Sequence, residues 1–284
     1  MQVIITALST AAVLAPMAIG MALVYRIGGV INFAAGAICV VSGVAYALMG
    51  GGVVAALAAI AMGAGLGVAV FLLGVLPGKF RGIPPVAMTL GTLGVALIVQ
   101  ALGDEVFGTS PHTAEPWIDG SLSLFGNELS AHRALSVAVS MVAVIAVIAM
   151  FDRTLIGRGM EACSTNEPLA QLYGSRTLVY HFIAWSVAGA CGALSGVLQA
   201  GLASISDTAS MPLLVTAIVG AVLGGIGSLR ATVLGVLLVA AASALVQQLL
   251  NVQLPLTPVF VLMLLGLAIR PAGLFTSTKT GERV

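Results

Sequence analysis

Apolar runs of about twenty residues recur along this chain from Val3 to Arg270, and that recurrence leaves few folds open. About twenty residues of helix rise 30 Å, the thickness of a bilayer's hydrocarbon core. Eight such runs are legible, at 3–24, 29–49, 52–76, 83–102, 134–151, 179–201, 210–229 and 231–250. A shorter ninth, 254–270, opens with Pro255 and Pro258. The other structure that spans a membrane, a closed β-barrel, shows alternating segments of about ten residues, and these runs do not alternate. Only 7% of the 284 residues are charged, where a soluble domain carries about 25%. The expectation is an all-α polytopic membrane protein of about 8–9 spans, with one of the early segments open to a re-entrant reading.

Charge orients the spans, because basic residues are retained on the cytoplasmic side. Residues 103–133 carry five acids (Asp104, Glu105, Glu115, Asp119, Glu128) against a single base, Arg133, which marks an external loop. Alternation then puts Arg26, Lys79, Arg81, the 152–178 segment, Arg230 and the tail after Arg270 in the cytoplasm, so that ten of the eleven basic residues fall there. No basic stretch precedes the first apolar run, and no cleaved signal peptide is expected. A net charge of +1 implies no nucleic-acid partner. Cys39, Cys163 and Cys191 have no close spacing and read as small packing residues, not as a disulfide framework or a zinc site.

The stretch RIGGVINFAAG, 26–36, is the least helix-friendly part of the apolar sequence. Each of its glycines weakens a helix by about 1 kcal/mol relative to alanine. It is either a tight turn between two spans, with Arg26 reaching the surface, or a discontinuous segment whose freed backbone and Asn32 face a solute path. Broken backbone at membrane depth is tolerated only inside protein or along a cavity. Elsewhere Gly63/Gly67, Gly192/Gly196 and Gly220/Gly224 are spaced by four, which lets helices approach closely within the bundle or between subunits.

The segment DRTLIGRGMEACSTNEPLAQLYGSRTL, 152–178, balances three acids with three bases and reads as two short helices. The first runs from about Gly157 to Thr165. The second is capped by Asn166, tolerates Pro168 in its first turn and stops at Gly174. Leu169, Leu172 and Tyr173 give it an apolar face, suited to a soluble partner or to the bilayer surface. Gly78-Lys79 lacks the rest of a Walker A loop, so the chain should not bind ATP itself, and no HExxH, GxSxG or His/Cys cluster is present. His112, His132 and His181 read as surface or interfacial residues. Intramembrane ionisable groups mark ion pathways, and these spans hold almost none. Arg26 and Asp207 sit at expected span ends, and Gln100 lies near another.

Four blocks, in order along nearly the whole chain, resemble the LivH-type permease subunits of ABC importers for branched-chain amino acids and related small solutes. GGVINFAAGA (28–37) is similar to that family's INFAHGE-type signature. MTLGTLGVALIVQALGDEVFG (88–108) is similar to its span ending in glutamine and phenylalanine-glycine. TLIGRGMEACSTNEPLAQLYG (154–174) is similar to its cytoplasmic coupling loop, and AVLGGIGSLRATVLGVLL (221–238) to its GGIGS-containing span.

The resemblance implies a type II ABC importer-like transmembrane helix bundle in a bacterial inner membrane. Residues 1–284 then form one permease domain, with 103–133 as the external loop and 152–178 as the cytoplasmic coupling loop. The implied partners are a second homologous permease subunit, two cytoplasmic ATP-binding subunits and an extracytoplasmic solute-binding protein. ATP hydrolysis on those separate subunits would drive alternating access, leaving this chain neither an enzyme nor the holder of a cofactor or metal. Carried over by position, Gly28, Gly29, Asn32, Phe33 and Gly36, with Thr89, Thr92 and Gln100, are expected on the substrate path. Arg158, Glu161, Asn166 and Gly174 are expected at the ATPase contact. Two departures stand out: Ala35-Gly36-Ala37 replaces the signature's histidine, glycine and acid, and Glu161 stands where arginine is common. On the residues alone, a self-contained channel or facilitator for urea or small amides stays open, as does an assembly scaffold with no path.

Overall fold

A computed structural model describes residues 2–118, 120–124, 127–250, 256–270 and 273–275. Asp119, Pro255 and the tail bases Lys279 and Arg283 lie outside them. α1 (Gln2–Gly28) is followed by a non-helical segment and then α2 (Ala35–Leu48). α3 (Gly52–Val70), a π-helical turn (Phe71–Val75) and α4 (Leu76–Phe80) form one continuous crossing. α5 (Pro85–Phe107) leads into the acidic loop and α6 (Ala131–Arg153) leaves it. α7 (Leu155–Thr165) and α8 (Glu167–Leu172) make up the polar excursion. α9 (Thr177–Leu202), α10 (Ser210–Gly224), α11 (Leu229–Leu250) and α12 (Thr257–Ile269) complete the bundle.

Among the described residues, seven helical runs are long and apolar enough to cross a membrane, and α2 and α12 are shorter apolar helices. The all-helical, multi-pass bundle expected from the hydropathy is therefore what forms. The differences are local. The first helix continues past residue 24 to Gly28, while the helix expected from 29 starts only at Ala35. α5 and α6 run helical into the ends of the expected outer loop, to Phe107 and from Ala131. Within that loop Ser121–Leu124 (β1) and Asn127–Ser130 (β2) pair as a short antiparallel hairpin. SLSL alternates polar and apolar residues at the strand period of two, not the helix period.

α9 is the most enclosed crossing, with 72% of its membrane window buried against 28% for α6. It packs on α1, α2 and α3, and small residues set how near they come. A Cβ on Gly189 would lie 2.1 Å from the Gly63 carbonyl oxygen and 2.8 Å from Gly67 Cα. One on Gly196 would lie 1.9 Å from the Cys39 carbonyl oxygen, and one on Gly224 2.1 Å from that of Ala231. The glycine pairs noted in the sequence thus serve helix contacts inside this chain. All three cysteines are buried and unpaired.

Pro16 interrupts α1 at mid-membrane, where a lost backbone bond must be made good by a neighbour. Buried Ser195 of α9 accepts a hydrogen bond from the Met17 N–H at 3.0 Å. Ser195→Ala leaves that donor facing an apolar core and should destabilise the protein by about 1–3 kcal/mol. A lower melting temperature of the purified protein in detergent is the expected reading, and a parent-like value would show that the bond contributes nothing.

Polar contacts gather at the two ends of the bundle. At one end the acidic loop folds down onto the helix ends: His112 and Ile205 exchange backbone hydrogen bonds of 2.9 and 2.8 Å, and the Trp117 indole donates to Tyr46 Oη. The Trp117 N–H donates to His132 Nδ1 at 3.1 Å. His132 is buried under this loop, and His181 is buried at the opposite end. Neither is the surface residue that its sequence position suggested, because each is covered by a segment distant in sequence.

Candidate functional site

The break between α1 and α2 begins at Gly29, whose φ of +65° is the left-handed conformation that glycine adopts without strain. Only fourteen residues of α2 follow, about 21 Å of rise and short of a 30 Å hydrocarbon core. The freed backbone groups of the break are taken up by α5. The Ile31 N–H donates to Thr89 Oγ1 at 3.2 Å and the Phe33 N–H to Thr92 Oγ1 at 3.1 Å. The Thr92 hydroxyl in turn reaches the carbonyls of Ile31 (3.1 Å) and Thr89 (2.7 Å). Asn32 is fully buried: its Oδ1 accepts from the Ala34 N–H at 3.0 Å, and its Nδ2 has no partner among the described residues.

Beside the break lies an open cleft of about 250 Å³ between Phe33 and Ala37 on one side, α5 on the second and residues 207–214 on the third. Leu93, Leu97, Met211 and Leu214 supply apolar wall, while Gln100, Asp207, Thr208 and Ser210 supply polar groups. Of the path residues expected from sequence, Phe33 and Gln100 line this space. Gly36 lets α10 close up behind it, since a Cβ there would meet the Ser210 carbonyl oxygen at 2.8 Å. Thr89, Thr92 and Asn32 hold the break itself. Gly28 and Gly29 sit lower, against His181 and Pro85. Asp207, Thr208 and Ser210 were not singled out as path residues. Their signal was the polar stretch SISDTAS at 204–210 in an otherwise apolar region.

The excursion 154–174 folds through local signals. Thr154 Oγ1 accepts from the Gly157 N–H (3.1 Å) to cap α7, and Asn166 Oδ1 accepts from the Leu169 N–H (3.0 Å) to cap α8. Gly174 stops α8 at a φ of +81°. Gly157, Met160, Cys163 and Ala170 face the bundle, whereas Leu172 and Tyr173 are 84% and 83% exposed. Arg158, Glu161, Asn166 and Gly174 all lie on the exposed side. Glu161 and Asn166 border a groove of about 320 Å³ that Tyr173 also lines.

The excursion is pinned by charge. Arg26 meets Glu161 at 3.6 Å and lies 4.4 Å over the Phe151 ring. Glu167 receives Lys79 Nζ and sits 3.3 Å from His181 Nε2. The hydrogen bond with His181 is the main cause holding the Glu167 carboxyl down at about 2, Lys79 adding to it and burial opposing. A lowered folded-state value means this contact is present above the ordinary value of 4.5 and is lost only as pH falls from there towards 2. Across the cellular pH range Glu167 is a permanent anion. Lys79, Glu167 and His181 come from three separate stretches, which is why sequence reading did not group them.

Residues 3–269 match the model of a family described as the permease component of branched-chain amino acid transport systems. Among curated relatives, the autoinducer 2 import system permease protein LsrC of Escherichia coli is 33% identical over 174 residues, 57% of this chain and 48% of the relative. The high-affinity branched-chain amino acid transport system permease protein LivH of Salmonella typhimurium is 28% identical over 159 residues, 56% of this chain and 52% of the relative. The chain spans about half the length of the curated relatives it matches. Among solved structures, PsaBC from Streptococcus pneumoniae in complex with Fab shares the fold, with a TM-score of 0.51 at 16% identity over 99% of this chain and 96% of that one.

Proposed function

The chain belongs to the family of permease components of branched-chain amino acid transport systems, and on that premise we propose that it is a membrane-spanning half of an ATP-driven importer of the inner membrane. A second, homologous permease packs beside it, two ATP-binding subunits dock on α7 and α8, and an extracytoplasmic solute-binding protein delivers solute to the acidic face. The observation that carries this reading is the cleft between the break, α5 and residues 207–214. Three stretches of this chain line it and it stays open, which leaves room for another subunit to close a path there. The stripe Val86, Leu90, Leu93, Leu97 and Gln100 supports the same view, because it repeats at the heptad spacing and Val86, Leu90 and Leu97 are exposed. The exposed Leu172 and Tyr173 support the docking role.

The solute is a small amino acid of the branched-chain type. Phe33, Leu97 and Met211 suit an aliphatic side chain, and the Asp207 carboxylate with Gln100 suits an ammonium group. Since LsrC belongs to an autoinducer 2 import system, that molecule is the competing solute. Affinity purification from native membrane followed by reconstitution tests both levels. An ATPase and a second permease should co-purify, and labelled valine or leucine should accumulate only when ATP is supplied. Uptake of autoinducer 2 but not of leucine reassigns the solute. Flux through this chain alone, without ATP, makes it a self-contained channel and removes the importer reading.

A further inference from the structure

Both attachments of the cytoplasmic excursion converge on one turn of α1. From α7, Glu161 reaches Arg26; from α8, Glu167 reaches Lys79 and His181, whose Nε2 is 2.6 Å from Lys79 Nζ. The imidazole faces Gly28, where an added Cβ would come within 3.3 Å of His181 Cε1. Phe71 backs the ring from the other side, stacked at 5.7 Å and within 5° of parallel. Phe71 opens the π-helical turn, a distortion that recurs at functional sites. Gly28 is the last helical residue before the break, whose far side is tied to α5 by Thr89 and Thr92. Glu167 and His181 therefore connect α8 to the last helical residue before the break.

The two attachments differ in stiffness. Glu161 is 60% exposed and its contact is long, so water and salt weaken it. Glu167 and Lys79 are 23% and 20% exposed, and His181 is 3% exposed. The bond from Lys79 to Glu167 is charge-assisted, of a kind roughly twice as strong as a neutral one. We propose that Lys79, Glu167 and His181 are positioning residues that carry movement of α8 to the Gly28 end of α1 and so set the conformation of the 29–34 break. This rests on the importer reading of the chain, in which α8 is moved by an ATPase.

The test uses the reconstituted full complex and measures ATP hydrolysis and solute uptake together. Glu167→Gln should keep hydrolysis but lower the solute moved per ATP by about tenfold. The exchanged pair Lys79→Glu with Glu167→Lys should restore most of that ratio, and hydrolysis kept at the parent rate in the single variant is what a merely structural role would not predict. Should the single variant fail to assemble, spin labels in the otherwise unaltered complex give the answer. The distance from Thr165 to Tyr25 should stay constant when ATP binds, while that from Tyr25 to Val86 changes. An unaltered ratio in Glu167→Gln, no recovery in the exchanged pair, or a Thr165–Tyr25 distance that changes overturns the proposal. If the parent complex itself shows no ATP-driven uptake, the importer reading fails instead.

Discussion

Thr92→Val should cut uptake roughly 10- to 100-fold, the equivalent of orphaning one buried backbone donor at about 1–3 kcal/mol. The hydroxyl is fully buried, takes the Phe33 N–H, and reaches the Ile31 carbonyl of the break and the Thr89 carbonyl of its own helix. Valine fills nearly the same volume but offers no acceptor, so packing stays while the hydrogen bond goes. Among the described residues, Asn32 Nδ2 already lacks a partner there, so the break has no spare hydrogen bond to absorb the loss. The segment is then expected to leave its position against α5, distorting Phe33 and the cleft it lines. Thr89→Val removes the acceptor of Ile31 and a bond to the Pro85 carbonyl of its own helix, but at a less buried position that water reaches, so its effect should be a few-fold at most. Uptake assays and melting temperatures on the two variants check this ordering. Parent-like uptake in Thr92→Val would sink the idea that α5 holds the break.

Gly189→Val should prevent the bundle from assembling. The added carbon would lie 2.1 Å from the Gly63 carbonyl oxygen and 2.8 Å from Gly67 Cα, and both obstacles are backbone. Neither can rotate away as a side chain would, so α3 and α9 must separate along a seam that α9 shares with α1 and α2. Overpacking a core usually costs about 1–3 kcal/mol, and a seam at the most enclosed helix belongs at or above the top of that range. Gly65→Val is the control on the facing helix: it adds the same side chain to α3, at a position with nothing within 4 Å. Membrane accumulation of intact protein reads the difference. Equal yields of the two variants would show that the α3–α9 crossing tolerates a wider spacing.

Much of the scaffold was legible in the residues. Spans follow from local hydropathy. The cap and stop of α8 were legible as well, since Asn166 and Gly174 act within three or four residues of themselves; the Thr154 cap, which starts α7 at Leu155 and not near Gly157, was not expected. The candidate site was only partly legible. Phe33 and Gln100 were expected on a path and do line the cleft, but Asp207, Thr208 and Ser210 were not, because a polar stretch between spans looks like any loop. Asn32 was expected to face solute, and it is buried behind the cleft instead. Nothing in the chain before folding says that its freed neighbours will find hydroxyls on α5.

The sequence by itself determined that this protein crosses a membrane many times, which ends lie together, and where the polar excursion folds into helices. Each of those depends on transfer free energy or hydrogen bonds within one segment. Only the tertiary structure decided that Thr92 bonds to the break and that Glu167, 88 residues from Lys79, meets that lysine beside a histidine 102 residues from it. It also decided that the glycine seams lie inside the chain. Such pairings depend on how helices are placed beside one another, and no one-dimensional pattern of polarity or charge encodes which faces meet.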